Sequence, residues 1–119
     1  MKTRLRHSRK IEVRRSQLHG WGVFARQEIA SGETLEEVPF VALGMESTAL
    51  ETVRYYWPRE EPWESMAIPA GFAMLYHHSD PSNADWETLD EERLFRFFAI
   101  RDIEKGEEIL IDYGINYPW

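Results

Sequence analysis

"LYHHSDPSNADW", residues Leu75 to Trp86, is the stretch on which the reading of this chain turns. Adjacent His77 and His78, followed by Asp80, are the residue types of a metal centre. Histidine pairs that bind one ion sit at i,i+4 on a helix or i,i+2 on a strand, so that both rings face one point. Neighbours on an extended chain face opposite ways, so His77 and His78 do not readily share a metal. A turn brings one of them to Asp80 and yields two ligands, while His7 and His19 lie far off in sequence. Ser79 next to His78 and Asp80 suggests a nucleophile. Triads, however, converge from separated segments, and no G-x-S-x-G elbow is present. No metal is expected, and a metal-dependent hydrolase using His77, His78 and Asp80 stays as the lesser alternative.

The bulk numbers bound the problem. A chain of 119 residues with 43% hydrophobic and 13% aromatic residues can bury one core, so residues 1–119 are read as a single domain. There is no cysteine, which excludes disulfides, cysteine-zinc sites and thiol catalysis. The start, "MKTRLRHSRK", is basic but lacks the apolar core of a secretory signal, and no run approaches the ~20 apolar residues of a membrane span. A cytoplasmic protein is expected, or one in a host nucleus if the source is viral.

Charge is unevenly spread. Residues 1–15 carry +6 and residues 16–119 carry −13. An acidic body draws basic partners and repels nucleic acid, so no direct nucleic-acid binding is expected. The basic extension, residues 1–9, reads either as a solvated end or as a contact for phosphate.

Along the chain, "KIEVRRS" (10–16) reads as a strand and "HGWGVFA" (19–25) as a glycine-marked turn entering another. "TLEEVPFVAL" (34–43) is extended with a bend or edge at Pro39. "STALETVRYYWP" (47–58) is the best helix candidate, capped by Ser47 and stopped by Pro58. "AIPAGFAMLYHH" (67–78) is ambiguous between helix and strand. "RLFRFFAIR" (93–101) and "ILIDYG" (109–114) are strands. Many short strands around one helix make a mainly β domain.

Three segments, in order, resemble the SET-domain family of protein lysine methyltransferases. "SQLHGWGVFARQEIASGETLEE" (16–37) is similar to the family's S-x-x-x-G-x-G segment and its following G-E turn. "GFAMLYHHSDPSNA" (71–84) is similar to its N-H-S-x-x-P-N-A stretch, and "FFAIRDIEKGEEILIDYG" (97–114) to its D-I-x-x-G-E-E to Y-G end. The short length and lack of cysteine resemble compact bacterial and viral members. The resemblance implies the SET (β-clip) fold of small sheets, with a knot-like C-terminal segment beside the histidine stretch.

It also implies a protein-lysine N-methyltransferase that uses S-adenosylmethionine, with Tyr113 as the catalytic residue. Gly20, Trp21, Gly22, His77, His78 and Tyr113 are the implied cofactor contacts, and Ser79 and Asn83 are implied to brace the loop. Tyr55, Tyr56, Tyr76, Trp86 and Tyr117 are candidates for walls around a lysine stem, or else plain core. A basic, possibly histone-like protein is the expected partner, docking as an added strand. A non-catalytic SET-fold module that binds peptides is the principal alternative.

The chain departs from the family pattern in three places. His77 stands where the family usually has Asn, Pro81 comes one residue early, and Ile111 leaves the number of methyl groups added unreadable. With no cysteine after Tyr113, either "INYPW" or the second subunit of a homodimer is expected to cover the site.

Overall fold

The structure, a computed structural model, describes residues 4–45 and 55–113. These form ten short strands in four small sheets, with no helix among the described residues. Strands β1 (Ile11–Arg15) and β2 (Trp21–Ala25) make an antiparallel hairpin whose last pair is Arg15 with Trp21. The connecting loop is closed by the Ser16 amide, which donates to the Gly20 carbonyl at 2.8 Å.

β3 (Thr34–Val38), β8 (Ala84–Leu89) and β9 (Leu94–Ala99) form the central sheet in the order β3-β9-β8. "LFRFFA" buries Phe95 and Phe97 completely, and both rings pack against Tyr55. A second sheet has the order β4-β6-β5, from β4 (Phe40–Leu43), β5 (Tyr55–Trp57) and β6 (Ser65–Pro69). Pro39 is the exposed break between β3 and β4, as its missing amide requires.

The helix expected over 47–58 is corrected at its end. Residues 46–54 lie outside the described residues, and Tyr55–Trp57 is a strand. Its side chains follow a period of two: Tyr55 and Trp57 are buried, and Tyr56 is half-buried. Tyr55 pairs with Ala67 of β6 and donates its hydroxyl to the Ala73 carbonyl at 2.6 Å, while Trp57 stacks on Phe40 at 4.5 Å. Aromatic rings at alternate positions suit a pleated, half-buried surface. The ambiguous 67–78 stretch divides into the end of β6, a turn near Gly71, and β7 (His77–His78).

β7 pairs in parallel with β10 (Leu110–Ile111). On one edge the approach to β10 meets β2: the Ala25 amide donates to the Glu107 carbonyl at 2.9 Å, and the Ile109 amide to the Val23 carbonyl at 2.7 Å. On the other edge the Ser79 amide donates to the Ile111 carbonyl at 3.0 Å and the Asn83 amide to the Leu110 carbonyl at 3.1 Å. Buried Asn83 adds a side-chain clamp. Its amide nitrogen donates to the Glu108 carbonyl and its oxygen accepts from the Leu110 amide, both at 2.8 Å. The C-terminal segment is thus held from two sides, the local geometry of the knot-like segment that the resemblance implies.

The basic extension docks on β3. The Ser8 amide donates to the Leu35 carbonyl and the Glu37 amide to the Arg6 carbonyl, both at 2.8 Å, and His7 bridges to Glu36. This cover buries two acids in a row, Glu36 and Glu37. Glu36 accepts from the Tyr76 hydroxyl at 2.6 Å and the Phe72 amide at 3.1 Å. Burial holds its pKa above the usual carboxylate range in spite of those donors. Gly71, at φ +69, leaves room for this carboxyl, since a Cβ there would stand 2.2 Å from Oε1.

Two outcomes follow for stability. Asn83→Ala orphans the Leu110 amide and the Glu108 carbonyl, at a cost of about 1–3 kcal/mol for each buried group, checked by urea unfolding. A folded-state carboxyl pKa above its unfolded value near ~4.3 favours folding at low pH and loses that contribution as pH rises through the folded value. Wild-type stability measured against Glu36→Gln therefore declines over that window and levels off above it; a constant difference would show that Glu36 does not titrate there.

Candidate active site

Three segments converge behind β7: the loop 16–22, His77–Ser79, and Glu108–Tyr113. The two histidines face different neighbours, as expected for adjacent strand residues. His77 is buried, with Nδ1 at 2.6 Å from Glu108 Oε2, and its ring packs at 4.1 Å against that of His19. His78 accepts at Nδ1 from the Tyr113 amide at 2.9 Å, so its ring proton sits on Nε2. Its ring lies 5.1 Å from the Tyr113 ring.

Glu108 is the site residue that the sequence reading missed. Its second oxygen, Oε1, accepts from the Ser16 hydroxyl at 2.7 Å, so one carboxyl joins the first loop to the histidine stretch. Gly22 makes this possible. A Cβ at Gly22 would stand 2.3 Å from Glu108 Oε2 and 3.2 Å from His77 Nδ1. Trp21, by contrast, is half exposed, with the Arg15 guanidinium 4.7 Å over its ring.

The Tyr113 hydroxyl donates to the main-chain carbonyl of Tyr76, and its ring packs against the edge of the core. Tyrosine and histidine stretch are thus joined through both amide and hydroxyl. Of the five aromatic wall candidates, Tyr55, Tyr76 and Trp86 place their rings in the core. Tyr56 is half-buried and stacks on Trp63 at 4.2 Å, and Tyr117 lies outside the described residues. Asp80 sits in the exposed turn that follows His78. Among the described residues no group of three or more His, Cys, Asp or Glu is placed to hold a metal ion, and no helix is long and apolar enough to cross a membrane.

The family model of the SET domain matches residues 20–114, which contain all three converging segments save the start of the first loop. The chain belongs to the SET-domain family. Its relatives by sequence include a Schizosaccharomyces pombe histone-lysine N-methyltransferase described as H3 lysine-37 specific, 25% identical over 92% of this chain and 76% of that protein. A Plasmodium falciparum protein, solved as a candidate histone methyltransferase, superimposes with a TM-score of 0.74 at 30% identity, over 92% of this chain and 97% of the other. The Chaetomium thermophilum Polycomb Repressive Complex 2, bound to S-adenosylmethionine, superimposes with a TM-score of 0.66 at 23% identity. That match covers 92% of this SET chain and 16% of the other, and is a likeness of fold. These relatives are eukaryotic, whereas the chain's length and lack of cysteine pointed to the compact bacterial or viral type.

The crowding at Gly22 can be tested directly. Gly22→Ala is expected to destabilise the SET domain by about 1–3 kcal/mol through overpacking against the pinned Glu108 carboxyl. Adding Glu108→Ala should recover part of that loss in urea unfolding, and strict additivity of the two changes would place the strain elsewhere.

Proposed function

We propose that this SET domain is an S-adenosylmethionine-dependent protein-lysine N-methyltransferase acting on a basic protein, histone-like proteins included. The observation that carries the reading is the position of Tyr113, tied by its amide to His78 and by its hydroxyl to the Tyr76 carbonyl. The names of the relatives support the reaction class, and the −13 charge of residues 16–119 supports a basic partner. The fit of the cofactor is supported by a buried polar atom: His77 Nε2 has no hydrogen-bond partner among the described residues.

The main chain at Gly20, Trp21 and Gly22 would hold the cofactor's methionine part, with His77 beside it and His78 against the adenine. When bound, the cofactor supplies a methyl on a positively charged sulfur, which keeps the bonding pair as the lysine nitrogen takes the carbon.

The remaining work falls to this chain. A lysine ammonium, with an ordinary pKa near ~10.4, must lose a proton to water before its lone pair can attack. An apolar channel disfavours the charged form. The Tyr113 hydroxyl gives its hydrogen to Tyr76, so its lone pairs are free to accept an N–H of the amine and aim the nitrogen. In this reading Tyr56 and Tyr117 line the lysine stem, and Tyr55, Tyr76 and Trp86 stiffen the wall from the core. Residues 114–119, or a second copy in a homodimer, cover the site.

Tyr113→Phe is expected to lower methyl transfer to a lysine-rich histone peptide by at least about 100-fold, with little change in affinity for S-adenosylhomocysteine by calorimetry. Full turnover in that variant would remove Tyr113 from the mechanism. A wild-type chain that binds neither S-adenosylmethionine nor S-adenosylhomocysteine would instead be the non-catalytic peptide-binding module.

A further inference from the structure

His77 presents an unusual combination for a histidine beside a ligand loop. Its side chain is 7% exposed and that of Glu108 is 12% exposed, so the pair at 2.6 Å is largely shielded from water. An ionised carboxylate only accepts, which places the hydrogen of this contact on Nδ1. In the neutral ring, Nε2 is then a lone pair, and it has no partner among the described residues. The groups packed on the pair are Ser16, which donates to the other Glu108 oxygen, the His19 ring, and Gly22, which offers no side chain.

We infer that His77 Nε2 receives the α-ammonium of the cofactor's amino-acid end, with Glu108 as the positioning residue that fixes the tautomer. The inference rests on the methyltransferase reading above. The amino-acid end of S-adenosylmethionine offers two charged groups: an ammonium, which only donates, and a carboxylate, which only accepts. A lone pair backed by a carboxylate attracts the ammonium and repels the carboxylate, because in a shielded site charges act with little screening. A carboxylate behind an imidazole also makes the far nitrogen more basic, as it does for histidines that bind metals. Asparagine, the usual family residue here, carries its own carbonyl acceptor; histidine presents one only when its other nitrogen is held protonated.

The test uses the full chain labelled with ¹⁵N in its histidine rings, together with titrations of S-adenosylhomocysteine and of the same molecule lacking its α-amino group. Long-range ¹H–¹⁵N spectra of the ligand-free protein should show His77 as the Nδ1–H tautomer; an Nε2–H tautomer overturns the inference whether or not any ligand binds. Wild type should prefer the amino-bearing ligand by about tenfold or more, the size expected for a hydrogen bond to a charged group. Glu108→Gln should shrink that preference markedly and redistribute the tautomers, whereas a purely architectural Glu108 would weaken both ligands equally and overturn the assignment. Should that variant not fold, His77→Ala decides: loss of the preference supports the inference and its retention overturns it. Wild-type protein that binds neither ligand overturns the methyltransferase reading and this assignment with it, while binding that ignores both residues overturns this assignment alone.

Discussion

The segment from Gly106 to Ile111 has neighbours on both edges, and the candidate site depends on that grip. The main chain of β2 holds one side, while Ser79 and Asn83 hold the other. A backbone amide or carbonyl in the interior must be paired, and a strand passing between two unrelated segments meets that demand on both edges at once. The side chains of this segment then fall where the fold needs them. Ile109 and Ile111 enter the core, Glu108 reaches His77 and Ser16, and Tyr113 emerges beside His78. One constraint therefore assembles three distant stretches into a single site.

The second constraint is the cost of burying charge. Glu36 and Glu108 are both carboxyls in sheltered positions, and each is supplied with partners from far along the chain. Glu36 takes Tyr76 and Phe72, and Glu108 takes His77 and Ser16. Such networks are costly when one member is missing, which ties the chemistry of the site to the integrity of the core. Tyr76 belongs to both. Its hydroxyl serves Glu36, and its carbonyl accepts from Tyr113.

Much of this was legible in the sequence, for reasons that can be stated. Glycines at 20 and 22 mark a tight turn and a close approach, the "DIEKGEE" turn leads into the last strand, and the β9 run announces itself by its aromatic residues. What escaped were features fixed by distant partners. The spacing of Tyr55 and Trp57 fits a helix end as well as a strand, and only pairing with β6 decides between them. β8 was hidden inside the Asn83-Ala84 motif, although "ADWETL" alternates buried and half-buried positions. Two adjacent acids in "TLEEV" read as one inward and one outward until residues 6–8 cover the second face. Glu108 looked like one more surface acid of a charged turn, and no local pattern signals that it will meet a histidine 31 residues earlier.

The same threading bears on how the chain reaches its native state. Val23 with Ile109, Ser16 with Glu108 and β3 with β9 all join residues that are remote in sequence, and no described helix supplies early local order. Long loops must close before such contacts return any stabilisation, so this topology belongs among slowly folding β proteins. Until the C-terminal segment is seated, β2 and the histidine stretch are left with open edges, and open edges recruit other chains. During recombinant expression the SET domain will therefore compete with its own aggregation, and slower synthesis at lower temperature shifts that contest toward the folded form.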